Sequence, residues 1–466
     1  MKPKYLFFIL IFLSSFATLA QTQFKFSGEI QNPTERKVLI TLYRDWVGEE
    51  EEYEIELNEK NQFSFSSSIK HIAYIDFYYA DQGFHYWIIE PTDDITIKFS
   101  PKNFWTSIKV WGNGSENWNY YIKQREKFEV KRDFEMEAER QSQTAQQQYF
   151  NFLDNEQLTQ LEYLEKTPNL SKIFIQSRKA DIIGAIQNYK INYLSSKKYG
   201  SWLEEKVKTT LKLEALADSV QANSLEYGNM FQNLMDLFIA KSSNRKHKEL
   251  TENEELNLIK SSYDKDYFSF KLIERVLAFK LNNMIDAENI SPKVQTLVED
   301  FLATANDRDY KNYLSNKVNF SKTLSKGSPA KPFKLKDIDG KDVSLKDFQG
   351  KIVYLDFWAS WCGPCIYDMK FMEPIKEKFK AEVVFIQISL DSEVEWKDAV
   401  KMYHIKGINL RVDENSSITK NYGISGIPAY FLIDRKGNFA VSQVADPSHE
   451  EGQELIKQIE EVLQRN

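Results

Sequence analysis

Two cysteines three positions apart are the residues whose type and spacing most directly suggest chemistry in this chain. Cys362 and Cys365 are the only cysteines among 466 residues, and they lie together in the segment FWASWCGPC. A pair this close can cycle between a dithiol and a disulfide, with one thiol attacking and the other resolving the mixed disulfide. A structural bond here would close a very short loop, and stabilisation by a disulfide grows with loop length. The spacing therefore favours redox chemistry.

The residues around the pair predict a strand followed by a helix. The apolar run KIVYLDFWA leads into SWCGPC, and IYDMKFMEPIKEKF after it has helical spacing. Cys362 would then lie at a helix N-terminus, where unpaired N–H groups and the helix dipole favour the nucleophilic thiolate. Pro364 suits the first helical turn, and Gly363 minimises bulk beside the attacking sulfur. Cys365, one turn later, is placed to resolve a mixed disulfide formed at Cys362.

Metal binding is the main alternative use of two cysteines at this spacing. Zinc sites in proteins usually have four ligands. The chain has five histidines, and none of them is close to Cys362 in sequence. We therefore expect neither a metal nor another cofactor at this site.

The amino terminus predicts an exported protein. Residues 1–20 combine two lysines, an apolar run at 5–16 and small residues up to Ala20, which is the layout of a cleavable signal peptide. The run is shorter than the ~20 residues that a membrane-spanning helix needs; an uncleaved anchor is the alternative. We expect a protein of the periplasm or cell envelope, where disulfides can form and persist.

The charge balance argues against one class of partner. The chain has 61 basic and 68 acidic residues and a net charge of −7. A broad cationic surface, which binding to nucleic acid requires, is therefore not expected.

Composition and periodicity divide the remaining chain into three regions. Residues 21–113 are short alternating runs, which predict a small antiparallel β-sandwich or barrel. Residues 114–324 contain, after Gly114, only three glycines and two prolines, and their apolar spacing predicts an all-α region. Residues 325–466 follow the linker SKGSPAKPF and alternate strands with helices, as in a central sheet covered on both faces. The predicted fold class is multi-domain, with an all-β and an all-α part before an α/β domain.

Local patterns also predict two helix starts and one exposed surface. Ser291 before Pro292 and Ser392 with Glu395 fit capped helix N-termini. The exposed aromatic residues expected in the β region could form a platform for carbohydrate or peptide, although such residues more often belong to the core or to an interdomain face; they are Tyr78, Tyr79, Trp87, Trp105 and Trp111.

The cysteine segment also carries a family resemblance. DFWASWCGPC, together with YGISGIPAYFLIDRKGN at residues 422–438, resembles thioredoxin. SPAKPFKLKDIDGKDVSLKDFQGKIVYLDFWASWCGPC is similar to the exported TlpA/ResA-type thioredoxin-like proteins. The resemblance covers about residues 327–466. It implies a thioredoxin fold and a protein-disulfide oxidoreductase that exchanges electrons with protein thiols in the bacterial cell envelope.

The resemblance implies roles for residues on the substrate side of the pair. Pro428 matches the family's cis-proline, which lies opposite the redox pair and, with the backbone of Ile427, aligns a substrate strand. Trp361, next to Cys362, is also expected to bind the substrate.

The resemblance also implies an acid behind the pair. Asp356 matches the buried acid of thioredoxin, where desolvation should raise its pKa and make it a proton acceptor for Cys365. The alternative is a strand-end aspartate bound to backbone or water. Asp368 stands where many TlpA/ResA-type members carry a glutamate, and its shorter side chain leaves it a supporting role.

The dipeptide between the cysteines indicates the direction of electron flow. Gly-Pro is typical of reducing thioredoxins, with potentials of about −270 mV, against about −120 mV for strongly oxidising relatives. We therefore predict a periplasmic reductase of protein disulfides, such as those of cytochrome c maturation or a general envelope pool. Without a third cysteine, the pair needs a membrane or envelope electron donor.

Two other functions are compatible with the sequence. The chain could be a ligand- or partner-binding envelope protein in which the thioredoxin domain is accessory. A thiol peroxidase is suggested by the pattern F-x-L-x-D-x-x-G at residues 333–340.

Overall fold

The fold is taken from a computed structural model, which shows two compact units. It describes residues 23–44, 50–128, 143–195, 210–211, 216–246, 250–261, 268–288, 290–412, 417–424 and 426–465. The predicted signal peptide lies outside these residues, and none of the described helices is long and apolar enough to cross a membrane. The first unit contains the described residues up to Leu250 and those of Ser261–Leu272; the second contains those of Thr251–Lys260 and Ile273–Asn466.

Strands of the first unit form two four-stranded sheets with an aromatic core between them. The strands are β1 (Gln23–Ile30), β2 (Lys37–Tyr43), β3 (Glu51–Glu56), β4 (Gln62–Ser68), β5 (Ala73–Tyr79), β6 (Gln82–Ile89), β7 (Asp94–Phe99) and β8 (Lys109–Asn113). The sheet orders are β4-β1-β7-β8 and β3-β2-β5-β6. Phe26 on β1 meets Phe77 on β5 with 5.5 Å between ring centroids. The expected β-rich, sandwich-like region is confirmed.

Two details of this region differ from the prediction. Strand β1 pairs with β7 in parallel, so the sandwich is not wholly antiparallel; strands so far apart in sequence leave no local signal of their pairing. Tyr79 and Trp87 are buried, with 1% and 5% exposure, whereas Trp111 is 47% exposed. Neighbouring residues on a strand point to opposite faces, so Tyr78 and Tyr79 could not both lie on the outer face of a sandwich.

Helices dominate the rest of the first unit. They are α1 (Phe104–Ser107), α2 (Ser115–Phe128), α3 (Gln143–Lys166), α4 (Lys172–Ser195), α5 (Asp218–Asn223) and α6 (Leu225–Lys246). Helices α4 and α6 approach closely, because a Cβ on Gly184 would lie 2.3 Å from the backbone of Glu226 and Tyr227. Glycine is therefore required at that crossing.

Further helices precede the sheet of the second unit. They are α7 (Glu252–Ser261), α8 (Phe270–Glu288), α9 (Pro292–Thr304) and α10 (Arg308–Lys322). The predicted start of α9 is confirmed: the Ser291 side chain accepts a hydrogen bond from Val294 N (3.2 Å), and Pro292 occupies the first turn. With α2 to α6, these helices confirm the predicted helical middle region.

The second unit contains a six-stranded sheet with helices on both faces. Its strands are β9 (Lys334–Asp337), β10 (Asp342–Ser344), β11 (Ile352–Trp358), β12 (Val383–Ser389), β13 (Ile408–Arg411) and β14 (Ala429–Ile433). The order is β10-β9-β13-β12-β11-β14. Strand β11 runs parallel to β12 and antiparallel to β14. The following helices are α11 (Gly363–Phe379), α12 (Glu393–Met402), α13 (Ile418–Tyr422) and α14 (Gln453–Gln464).

Side chains of β11 pack in two separate hydrophobic cores, one on each face of the sheet. Ile352 and Tyr354 pack in a cluster with residues of α11 and α14, whereas Leu355 and Phe357 pack in one that includes α13. The predicted capping box at the start of α12 is also present. The arrangement confirms the expected thioredoxin-like α/β fold and places the end of β11 at the beginning of α11.

Candidate active site

The two cysteines lie where β11 ends and α11 begins, and they are joined in a disulfide. Cys362 is the N-cap residue of α11, and its Sγ accepts a hydrogen bond from Cys365 N (3.2 Å). Pro364 lies in the first turn, as expected. Both cysteines are nearly buried, with 4% and 2% exposure. Placement of Cys362 at the helix N-terminus favours its thiolate once the bond is reduced.

The loop before β14 faces the redox pair. The Ile427–Pro428 peptide bond is cis, and the Ile427 carbonyl oxygen lies 3.6 Å from Cys362 Sγ. Trp361, beside the first cysteine, is 68% exposed. The structure therefore brings the Ile427 carbonyl group, next to the cis-proline, to the Cys362 sulfur and leaves the Trp361 ring largely in solvent.

Gly363 follows Cys362 directly, and its surroundings are open. Apart from atoms of its two chain neighbours and the nearby backbone of its own helix, no protein atom would lie within 4 Å of a Cβ at this position. The expected role of Gly363, minimal bulk beside the Cys362 sulfur, stays a prediction.

Asp356 is a buried carboxyl group on β11. It is 4% exposed, and burial raises its pKa to about 7, with Lys376 opposing the rise and Asp368 adding to it. Among the described residues, no N–H or O–H group donates a hydrogen bond to this carboxyl. A group with a pKa near neutrality and no fixed donor is suited to accepting and releasing a proton.

Asp368 and Tyr430 form a hydrogen-bonded pair near this acid. Asp368 is 5% exposed on α11, and Tyr430 OH donates to its Oδ2 (2.7 Å). Tyr430 lies directly across from Asp356 in the β11–β14 register. Burial raises the pKa of Tyr430, and the neighbouring charges of Asp356 and Asp368 add to the effect, so the phenol remains a donor at neutral pH.

Asp391 supports the cysteine loop and was missed from the sequence. It is 3% exposed and accepts hydrogen bonds from Ser360 N (2.9 and 3.0 Å), Ser360 Oγ (2.8 Å) and Ser389 Oγ (2.8 Å). These bonds fix the turn that presents Cys362. A signal was available, because β11 and β12 are parallel and residues after the carboxyl ends of neighbouring parallel strands converge.

Lys376 is the second residue that the sequence did not reveal. It is on α11, and burial lowers its pKa, while the charges of Asp356 and Glu373 oppose that change. No pattern in the sequence distinguishes this lysine from the exposed ones on the same helix. Its positive charge opposes the rise in the pKa of Asp356.

Comparison with known proteins matches the part of the chain that contains this site. The Redoxin family profile matches residues 325–460. Thiol-disulfide oxidoreductase ResA of Bacillus cereus (strain ATCC 10987 / NRS 248) is 34% identical over 153 residues, which are 32% of this chain and 85% of the relative. ResA of Bacillus thuringiensis subsp. konkukian (strain 97-27) is 36% identical over 136 residues, 28% of this chain and 78% of the relative.

A solved structure is also similar to this chain. The crystal structure of a putative thiol-disulfide oxidoreductase from Bacteroides vulgatus has 30% sequence identity, covers 29% of this chain and 98% of that chain, and has a TM-score of 0.28. On the sequence relatives, the chain belongs to the TlpA/ResA-like family of thioredoxin-fold proteins. It is a protein-disulfide oxidoreductase, and protein thiols are the clients that this family implies.

Proposed function

We propose that the chain is an exported thiol:disulfide oxidoreductase of the periplasm or cell envelope that reduces protein disulfides through its CGPC pair. The observation that supports it most is the position of Cys362. Its sulfur is the N-cap of α11, accepts a hydrogen bond from Cys365 N and lies beside the Ile427 carbonyl oxygen. The attacking thiolate is thus stabilised next to a backbone group that can align a client.

The proposed cycle transfers two electrons to the client. The thiolate of Cys362 attacks one sulfur of a client disulfide, which forms a mixed disulfide and releases the first client thiolate. The thiolate of Cys365 then attacks Cys362 Sγ and releases the second. The client leaves as a dithiol, and the protein leaves with the Cys362–Cys365 disulfide.

Asp356 is proposed to take the proton of Cys365 before the second step. Its pKa of about 7 lets it accept a proton near neutral pH and lose it again to water. Asp368, bonded to Tyr430, supports this acid by its charge. Trp361 and Pro428 are proposed to contact the client, and Asp391 to hold the turn before Cys362.

The direction and the partners rest on the sequence. Gly-Pro between the cysteines is the dipeptide of reducing thioredoxins, and the chain has no third cysteine to restore the dithiol. We therefore propose a membrane or envelope electron donor, and clients that include proteins of cytochrome c maturation or a general pool of exported thiols. Residues 1–20 are proposed as the signal for export.

Reduction of insulin disulfides by the full mature chain tests the proposal. The protein is first reduced, and both thiols are verified by titration. The parent protein should reduce insulin, C362S should be inactive, and C365S should accumulate a mixed disulfide with the client. A fully reduced parent protein that leaves insulin intact would refute the activity. If equilibration with glutathione gave the Cys362–Cys365 pair a reduction potential of about −120 mV, the protein would be an oxidant of client thiols instead.

A cavity in the first unit favours a second role, binding of a small ligand. It has a volume of about 400 Å³ and is lined by aromatic rings, including Trp87, Trp105 and Tyr121, and by Arg125 and Arg178. Aromatic rings together with convergent charged groups can position a small polar ligand. Mass spectrometry of molecules released from the full-length protein, with W105A for comparison, tests this role; a molecule should be retained by the parent and lost from the variant.

A further inference from the structure

A groove in the second unit begins at the loop that faces the redox pair. It has a volume of about 270 Å³. Helices α8 and α10 form one wall, with Lys317 and Phe320 on α10, and Pro428, Tyr430 and residues 441–444 form the other. Pro428 follows Ile427, whose carbonyl oxygen is 3.6 Å from Cys362 Sγ. The lining of the groove therefore includes the residue directly after the one whose carbonyl oxygen faces Cys362.

The floor of the groove includes a strand edge that is only partly paired. Strand β14 is the last strand of its sheet, and Leu432 O accepts a hydrogen bond from Ala440 N (2.7 Å) on the side away from β11. Alternate residues of a strand point their N–H and C=O groups to the same side, so the backbone of Tyr430 also points outward. Among the described residues, none forms a backbone hydrogen bond with Tyr430 on that side. Such an edge accepts an extended polypeptide.

The charges of the groove favour a cationic occupant. Asp286 on α8 is neutralised by Lys317, whose Nζ lies 2.8 Å from its Oδ1. Asp446, which also lines the groove, has no ion-pair partner among the described residues. The groove therefore has one carboxylate that is not neutralised, and a lysine or arginine side chain is its chemical complement.

We propose that this groove binds an extended segment of the client polypeptide, which pairs with the Tyr430 backbone and places a cationic side chain at Asp446. The inference rests on the disulfide reductase activity proposed above and adds the substrate class to it. The wall that contains Phe320 precedes residues 325–460, which match the Redoxin family. The helical region thus supplies a selective surface to the redox site, and Phe320, 36% exposed, is its apolar contact.

Single-turnover reduction of matched substrates tests the groove. The fully reduced protein is mixed with bis(2-hydroxyethyl) disulfide or with either of two ten-residue peptides, each a dimer joined by one disulfide and differing only in lysine or glutamate beside the cysteine. Acid quench and mass spectrometry give second-order rate constants. F320A should lower the ratio of the lysine-peptide rate to the small-disulfide rate about tenfold, the scale of one lost ring contact. D446N should abolish the preference for lysine over glutamate.

Matched controls separate the groove from general damage. M402A removes another exposed apolar side chain, and D398N another exposed carboxylate, both on α12 outside the groove; neither should change the ratios. Unchanged rate ratios in both F320A and D446N would contradict client binding in the groove. Continued reduction of the small disulfide would still support the proposed function. An equal loss with all substrates in F320A would also contradict client binding in the groove, because selectivity would then not reside there. A parent protein that reduces none of the three would refute the proposed function itself.

Discussion

Two buried aspartates, one in each unit, have pKa values shifted in the same direction but different surroundings. Asp181 on α4 is 2% exposed and Asp356 on β11 is 4% exposed, and burial raises the pKa of both. Asp181 accepts hydrogen bonds from Tyr74 OH (2.9 and 3.1 Å) and from Ser224 Oγ (2.6 Å). Asp356 accepts none from the described residues.

The difference teaches that a raised pKa alone does not mark a chemical group. Structural networks and active sites both perturb buried acids. A carboxylate with its acceptor positions filled holds its neighbours in place, because moving it would leave their donors unpaired. A carboxyl group with no donor can gain or lose a proton without breaking such bonds. We therefore propose that Asp181 is structural and Asp356 reactive.

The largest expected effect comes from removing the structural aspartate. D181A removes the carboxylate that accepts hydrogen bonds from Tyr74 OH and Ser224 Oγ, and it removes the charge that faces Arg178. Breaking a buried charge network typically costs about 3–5 kcal/mol. The free energy of unfolding, measured in urea for the full chain, should fall by that amount. D94A, at an exposed ion pair, is the control and should change it little. A loss below about 1 kcal/mol in D181A would place Asp181 outside the structural class.

Substitution of the reactive aspartate should instead change a single chemical step. D356N keeps the side-chain volume and removes the proton acceptor, so the attack of Cys365 on the mixed disulfide should slow about a hundredfold at pH 7. Quenched samples should show the mixed disulfide accumulating, which a purely structural defect would not cause. The pH dependence of the parent's resolution rate should have a limb near 7 that is absent in D356N. Equal rates of resolution in parent and variant would contradict the assignment.

The same substitution should affect stability in a way that depends on pH. Because the folded-state pKa of Asp356 is about 7 and the unfolded value is lower, the folded protein binds the proton more tightly, and stability falls as pH rises between these values. D356N has no carboxyl group at this position, so its stability does not fall with rising pH for this reason. Its free energy of unfolding should exceed that of the parent by on the order of 2 kcal/mol at pH 8, and the difference should shrink towards pH 4. A difference that is constant across this range would show that Asp356 does not titrate as a buried acid.

Local patterns account for the prediction of the redox pair and of the helix starts, whereas the roles expected for Asp356 and Pro428 came from the family resemblance. Cys362 and Cys365 are only three positions apart in the chain, and the capping box at Ser392 needs only a few neighbouring residues. Asp391 was missed because its partner Ser360 is 31 positions away and only the parallel pairing of β11 with β12 brings the two together. The parallel contact of β1 with β7 escaped prediction for the same reason.

The smallest effect is expected at Tyr430, which donates a hydrogen bond to Asp368 and lies opposite Asp356 in the sheet. Y430F removes the phenol that donates to Asp368 Oδ2 at 2.7 Å and leaves the β14 backbone unchanged. Loss of this donor should lower the free energy of unfolding by about 1 kcal/mol. Burial raises the pKa of Tyr430, so the hydroxyl stays protonated, and the loss should be the same at pH 6 and pH 8, unlike the pH-dependent effect of D356N. Resolution of the mixed disulfide should slow less than about threefold, because the phenol holds Asp368 and carries no proton of the reaction. If resolution of the mixed disulfide slowed a hundredfold in Y430F, Tyr430 and Asp368 would take part in proton transfer and would not be only structural.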